Sequence, residues 1–145
     1  NVRAGGFHRL PEPSVMTLEM EVDAVPAAAG RVRAAIVTAL DGALEREVLE
    51  NVLMVATELV SNSVMHAGMG EGGHILFRLR ADRAIRVEVT DTGRGFSASA
   101  PRATTPGRDP GGRGLMIVEL LSEDWGVTQD DRVTVWAELS RSAER

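Results

Sequence analysis

The order of hydrophobic patterns along the chain predicts an α/β (α+β) two-layer sandwich, in which a mostly antiparallel mixed sheet carries about three helices on one face. Five segments alternate between apolar and polar residues, with the period of two that strands have. Three other segments repeat their apolar residues at helical spacing. The order is strand, helix, helix, strand, strand, long loop, helix, strand, strand, and we find no internal repeat or domain boundary.

The predicted strands are short and half-buried. Within 84–90, apolar Ile85, Val87 and Val89 alternate with charged residues, as expected for an antiparallel sheet with one covered face. The short link before this segment predicts a hairpin. The alternation of the first strand is imperfect, and its apolar residues are Val15, Leu18, Met20 and Val22. The five predicted strands are 14–22, 74–80, 84–90, 124–128 and 132–139.

The predicted helices are 24–43, 45–67 and 114–122. Pro26 suits the first turn of the first helix, the Asp41-Gly42 pair suits its end, and Asp23 is a candidate cap for it. Gly68 is expected to close the second helix. The stripe of the second helix that faces the core is expected to contain Val48, Leu49, Val52, Val55, Ala56 and Leu59.

Composition excludes several classes of site. The chain of 145 residues is 43% apolar and 26% charged, which is typical of one globular domain. It has no cysteine, so disulfides, thiol nucleophiles and Cys-ligated zinc are excluded. All 16 basic residues are arginine. The absence of lysine excludes a Walker-A loop, Schiff-base chemistry and the strand lysine of protein kinases.

Charge and hydropathy bear on partners and location. The net charge of −5 argues against nucleic acid and anionic membranes as direct partners. No apolar run approaches the roughly 18 residues that span a bilayer, and no signal peptide is visible, so a cytoplasmic location is expected. The predicted domain is 14–140, preceded by a loose leader or vector remnant at 1–13 and followed by a tail at 141–145.

The first motif lies on the helix 45–67, where Glu58, Asn62 and His66 stand four residues apart and share one stripe. Such a stripe can simply be a solvated helix face. In the functional interpretation, Glu58 orients or deprotonates a nucleophile, and the Asn62 oxygen binds Mg²⁺, which prefers oxygen ligands. His66 is the weakest candidate and could only fix the end of the helix.

The second motif, 91–96 (DTGRGF), follows a strand directly. Gly93 and Gly95 permit a tight turn and the close approach of a ligand. The Asp91 carboxylate accepts hydrogen bonds and does not donate them, so it suits the amino group of adenine and opposes the carbonyl of guanine. The alternative is an ordinary hairpin turn.

The third motif, 111–115 (GGRGL), opens the helix 114–122 and includes the end of a loop, 91–113, that is rich in Gly, Pro, Ser, Thr and Arg. Exposed N–H groups at a helix N-terminus suit phosphate, although glycines can also merely end a loop. A loop of this length inside a compact domain is usually a lid or disordered. Together, the three motifs could supply the metal, base and phosphate contacts of one nucleotide.

In this order, the motifs resemble those of the GHKL (Bergerat-fold) ATPases. The segment ELVSNSVMHA (58–67) resembles the N box of that superfamily, DTGRGF its G1 box and GGRGL its G2 box. The resemblance covers roughly 14–140. Within the superfamily, 114–127 and 135–139 are most similar to the anti-sigma-factor serine kinases and the stand-alone histidine-kinase-like ATPase domains of actinobacteria.

The resemblance implies ATP and Mg²⁺ as cofactors, bound under a lid at about 97–110. It implies Glu58 as general base, Asn62 on Mg²⁺, and Asp91 on the adenine. The nucleotide-binding set that it implies is Asn62, Asp91, Gly93, Gly95, Arg108, Gly111, Gly112, Arg113, Gly114 and Leu115. It also implies a STAS-domain anti-anti-sigma protein as acceptor of phosphate on a serine, possible sequestration of a sigma factor, and a homodimer.

Two positions depart from the family pattern. Many relatives carry a threonine on the last strand that holds the adenine through water, whereas this chain has Val133 there with Thr134 beside it. Some relatives carry a basic lid residue where this chain has Pro110, and Arg108 or Arg113 could substitute for it. Since phosphoryl transfer depends on positioning and on charge neutralisation, a missing cation would slow transfer more than binding.

The sequence therefore predicts an ATP-dependent serine kinase that acts as an anti-sigma switch. One alternative is a nucleotide-gated ATPase module of a larger signalling protein, which the absence of an initial methionine favours slightly. The other is a protein that only binds a partner, and the presence of Glu58 argues against it.

Overall fold

The computed structural model describes residues 14–67, 73–91 and 113–143. The chain forms five strands and three helices in the predicted order. The helices are α1 (Ala28–Leu40), α2 (Arg46–Ala67) and α3 (Arg113–Leu121). The strands are β1 (Met16–Asp23), β2 (His74–Ala81), β3 (Ala84–Asp91), β4 (Asp124–Gln129) and β5 (Val133–Ser140).

The strands form one sheet in the order β1-β2-β3-β5-β4. Every pair of neighbours in the described part of the chain is antiparallel. The helices lie side by side, since α2 contacts both α1 and α3. From one edge of the sheet to the other, α1 contacts β1, α2 contacts β2, β3 and β5, and α3 contacts β4. The predicted α+β sandwich is therefore confirmed.

Alternation along the strands separates the two faces of the sheet. The inner face, beneath the helices, carries the buried rows, such as Phe77 and Leu79 of β2 opposite Val89 and Val87 of β3. The outer face carries polar and charged side chains. Of the predicted core stripe of α2, Leu49 is partly buried and the other five residues are fully buried.

Two predictions about the N-terminal part of the chain are wrong. The first strand, predicted over 14–22, begins only at Met16, so Val15 lies before it and is 52% exposed. Asp23 does not cap α1, because the helix begins after a further turn at Ala27, which makes no side-chain cap. The Asp23 carboxylate instead lies 3.2 Å from Nδ1 of His74 on β2.

The helix α2 also bears on the expectation that no apolar segment is long enough to span a bilayer. Over Arg46–Met65 it is long and apolar enough to cross a membrane, the one such helix in the part of the chain described here. This test is weak evidence, because the core helix of a globular domain meets it too. Here α2 packs against α1, α3 and the inner face of the sheet, which accounts for its apolar composition.

Candidate functional site

The candidate site begins with Asp91, the last residue of β3. Its place in the alternation puts it on the inner face, opposite Ile75 of β2. Its side chain is 7% exposed, and it is the one polar or charged residue counted as buried within 14–67, 73–91 and 113–143. A buried carboxylate is costly without hydrogen-bond donors, and Asp91 does engage other groups of the protein. An acceptor is thus fixed beneath the helical layer, at a strand end.

The helix α2 supplies the second part of the site. Glu58 and Asn62 lie one turn apart and are both half-buried, at the border between the core stripe and the exposed side of the helix. Because α2 contacts β3, these side chains belong to the layer that covers the strand of Asp91. The backbone of His66 continues the same helix. A carboxylate and an amide that are half-buried at the edge of the core stripe can contact a ligand while they remain partly shielded from water.

The third part is the N-terminus of α3. The helix begins at Arg113, one residue before the predicted start, so Arg113, Gly114 and Leu115 form its first turn. Amide N–H groups of a first turn lack acceptors within the helix and favour anions. The Leu115 side chain is buried, at 6% exposure, so its backbone is the part that could face a phosphate.

The structure thus brings the described residues of all three motifs into adjoining elements, because α2 contacts both β3 and α3. The other predicted site residues lie outside the described residues: Gly93, Gly95, Arg108, Gly111 and Gly112. Pro110 and the expected lid at 97–110 lie there too.

The donor set fits a magnesium nucleotide. Asn62 offers an uncharged amide oxygen, and Mg²⁺ commonly takes one or two protein oxygens while phosphates and waters complete its shell. The described residues contain no group of three His, Asp or Glu side chains that could hold a metal alone. A single amide oxygen on α2, the helix that contacts α3, suits a metal that arrives with phosphate groups.

The strand β5 begins with Val133, at the position where many relatives are expected to have a threonine. Consecutive strand residues point to opposite faces, so Thr90 and its partner Thr134 lie on the outer face, away from Asp91. Their hydroxyl oxygens are 2.8 Å apart and bond to each other. Thr134 therefore does not replace the missing hydroxyl, and the neighbouring position is the apolar Val133.

A polar cluster that the sequence did not reveal lies on the outer face. Arg86 on β3 contacts Glu88 through Nε and Glu138 on β5 through Nη1, both at 2.7 Å. Its guanidinium carbon is 4.4 Å from the ring centre of Trp136. The hydrogen bond that Arg86 donates to Glu88, and then the one that it donates to Glu138, raise the pKa of Arg86 despite the opposing effect of burial. Only the strand order places these residues together, so the cluster joins β3 to β5 and lies apart from the candidate site.

Solved structures resemble the chain in fold. The RsbU and RsbW domains of Rv1364c from Mycobacterium tuberculosis align with a TM-score of 0.63 and 22% identity, over 88% of this chain and 33% of that one. The histidine kinase domain of the blue-light activated histidine kinase EL346 from Erythrobacter litoralis aligns with a TM-score of 0.53 and 22% identity, over 79% of this chain and 60% of that one. The chain therefore spans less than two thirds of either relative.

No curated protein sequence matches the chain. A sequence model of the histidine kinase-like ATPase domain matches residues 22–138, from the end of β1 to the last strand. This match covers most of the chain and agrees with the order of its strands and helices. The predicted resemblance is therefore confirmed, and the chain belongs to the histidine kinase-like ATPase family, among the GHKL ATPases.

Proposed function

We propose that the chain binds ATP with Mg²⁺ and transfers the γ-phosphoryl group to a serine of a STAS-type protein in the cytoplasm. In this proposal the unphosphorylated acceptor competes with a sigma factor for the kinase, which acts as a homodimer. The family implies ATP-dependent kinase or ATPase activity. The observation that carries the proposal is the buried Asp91 carboxylate on β3, beneath the helix that bears Glu58 and Asn62.

Each side chain has a proposed task. Asp91 accepts a hydrogen bond from the exocyclic amino group of adenine, which selects adenine over guanine. Asn62 holds Mg²⁺, which neutralises charge on the phosphates when bound. Glu58 accepts the proton of the serine hydroxyl while the serine oxygen forms a bond to the γ-phosphorus and ADP departs. The first turn of α3, with Arg113 and Gly114, cradles the phosphates through backbone N–H groups.

The choice of a serine acceptor rests on likeness. The sequence most resembles the anti-sigma-factor serine kinases, and one structural relative contains an RsbW domain beside an RsbU domain. A second candidate function is a nucleotide-gated module of a larger signalling protein. It is favoured by the length of the aligned structure, because this chain covers only 33% of the Rv1364c chain.

Two measurements on the same samples test the proposal: equilibrium binding of Mg-ATP, and label transfer from γ-labelled Mg-ATP to purified STAS-domain proteins. We expect wild-type protein to label an acceptor on serine. Glu58→Gln should retain nucleotide affinity within about threefold while it loses transfer by about a hundredfold or more, as is typical for loss of a general base. Glu47→Gln changes an exposed glutamate of the same helix and should transfer normally.

Asp91 tests the nucleotide pocket separately. Asp91→Asn should weaken ATP binding by about tenfold or more, the cost of losing one charged hydrogen-bond acceptor. Asp82→Asn changes an aspartate in the turn between β2 and β3 and should leave affinity unchanged. If Asp91→Asn binds ATP like the wild type, the pocket is assigned wrongly. If ATP binds but no acceptor is labelled, the gated-module function replaces the kinase.

A further inference from the structure

The strand β1 leaves an open edge on the sheet. In the described part of the chain it pairs with β2 alone, over all eight residues from Met16 to Asp23 without a bulge. The other edge strand, β4, has only six residues. A long, regular edge presents unpaired backbone N–H and C=O groups that can accept another strand. Such an edge is the standard platform for binding an extended peptide.

The outer row of β1 is acidic, and within the described residues its carboxylates contact only side chains of β2. Glu19 lies 3.4 Å from Arg78, and His74 lies 3.2 Å from Asp23 and 3.9 Å from Glu21, all across the pair with β2. These three carboxylates still keep 62%, 61% and 69% of their side-chain exposure. They can therefore meet a second row of basic side chains on the open side.

The residues of β2 that pair with β1 show which kind of strand sequence fits beside it. Opposite the acidic row it presents Arg80, Arg78, Leu76 and His74, and on the inner face it presents an apolar residue at every other position. The inner row of β1 is apolar as well, with Met16, Leu18 and Met20 only partly buried. A strand added to the open edge would meet the same two rows that β2 meets.

A second copy of β1 would not satisfy this edge. Antiparallel pairing of two β1 strands would place glutamates opposite glutamates, and parallel pairing in register would stack each acidic row on its copy. Like charges directly opposite each other destabilise a strand pair. The acidic row therefore works against self-association at this edge.

We propose that the open edge of β1 binds a partner protein through an extended segment in which arginine or lysine alternates with apolar residues. The segment adds a sixth strand, with its basic row against Glu19, Glu21 and Asp23. Its apolar row continues the inner face beside α1, which contacts β1. This surface is separate from the candidate nucleotide site, whose Asp91 lies two strands away on β3.

The test uses the full chain and a fluorescent seven-residue peptide in which arginine and valine alternate, with anisotropy as the readout. We expect saturable binding. The pair Glu19→Gln and Glu21→Gln should raise the Kd by about three- to tenfold, since each removes a cross-strand charge pair. The matched pair Glu47→Gln and Glu119→Gln changes the net charge equally at exposed helical positions and should alter the Kd by less than about twofold.

Backbone pairing is tested with two N-methylated peptides, one methylated at the arginines and the other at the valines. Only every second N–H of an added strand points at its neighbour, so one of the two peptides should lose binding while the other keeps it. Equal binding by both, or by a peptide with blocks of arginine and valine, would reduce the contact to diffuse charge attraction and overturn the proposal. The proposal would also be overturned if the wild-type protein formed a dimer that the alternating peptide disrupts, because the β1 edge would then bind a second copy of the chain.

Discussion

At the scale of single residues, the outer face of the sheet is organised around Trp136. Its ring lies under the Arg86 guanidinium, and Glu88 and Glu138 fix that guanidinium from two strands. Because the pKa of Arg86 is raised, this stabilisation is complete below the usual pKa of arginine and is lost only as pH rises beyond it. The contribution of the cluster through Arg86 is therefore expected to be constant across the neutral range.

Gly126 completes this arrangement on the neighbouring strand β4. A Cβ atom at this position would lie 2.9 Å from Cζ2 of the Trp136 indole, closer than carbon atoms normally approach. We predict that Gly126→Ala lowers the free energy of unfolding by about 1–3 kcal/mol, because it displaces a large ring that Arg86 holds in place. Urea denaturation measures the change, and an unchanged midpoint would mean that the indole moves away without cost.

The residues that the sequence placed correctly are those in periodic patterns. Asp91 is predicted at the end of a strand, and the structure places it there, as the last residue of β3. Gly126 and Trp136 carried no such signal, because their contact depends on the register of the β4–β5 pair, in which they lie opposite each other. The roles proposed for Glu58, Asn62 and Asp91 rest on the chemistry of their side chains together with likeness to a family.

At the scale of elements, all eight segments have the predicted type, and the errors lie at their ends. The first helix was predicted over 24–43 and runs over Ala28–Leu40. Before it, backbone bonds from Val25 to Asp23 and from Ala28 to Val25 form a tight turn around Pro26. Apolar spacing continues through this turn, so periodicity alone extends the helix, and only the hydrogen bonds place its start.

Two glycines, one within α1 and one just after its C-terminus, allow a matched test of where this helix begins and ends. Gly30 lies inside the helix with no atom within 4 Å of a built Cβ, whereas Gly42 follows the helix with a φ of 75°. Gly30→Ala should raise the free energy of unfolding by about 1 kcal/mol, because alanine favours helices over glycine. Gly42→Ala should lower it by about 1–2 kcal/mol, because a side chain is strained in the left-handed region.

Thermal unfolding of the two single variants and of the double variant gives the comparison. The positions differ by twelve residues and have no neighbours in common within 4 Å of a built Cβ, so the two effects should add. A loss of stability in Gly30→Ala would contradict the boundaries of α1, since it would place Gly30 outside a regular helix.

At the scale of the whole molecule, hydrogen bonds of Arg141 join the described residues before β1 to those after β5. The Arg141 guanidinium, just after β5, donates to the carbonyl of Ser14 at 3.1 Å and to that of Asp82 at 2.8 Å. The entry to β1, the turn between β2 and β3, and the exit from β5 therefore meet at one corner of the sheet. Sequence periodicity could not predict this corner or the strand order, because both join segments that are far apart along the chain.

The last prediction concerns coupling between the candidate site and the stability of the whole domain. A ligand that binds only the folded state adds about 2.7 kcal/mol at a hundred times its Kd. For a domain of this length, that corresponds to a rise in Tm of about 5–10 °C. We expect Mg-ATP to produce such a rise and GTP to produce little, since Asp91 cannot donate to the carbonyl of guanine.

The same titration of Asp91→Asn separates the pocket from the fold. If Asp91 recognises adenine, the variant should unfold as one cooperative transition in the absence of nucleotide and should lose most of the rise with Mg-ATP. Asp82→Asn, which lies in the turn at the opposite end of β3, should retain the full rise. Because Asp91 ends β3 beneath α2, nucleotide contact there would stabilise the sheet and the central helix together. Equal rises in all three proteins would place the nucleotide elsewhere on the molecule.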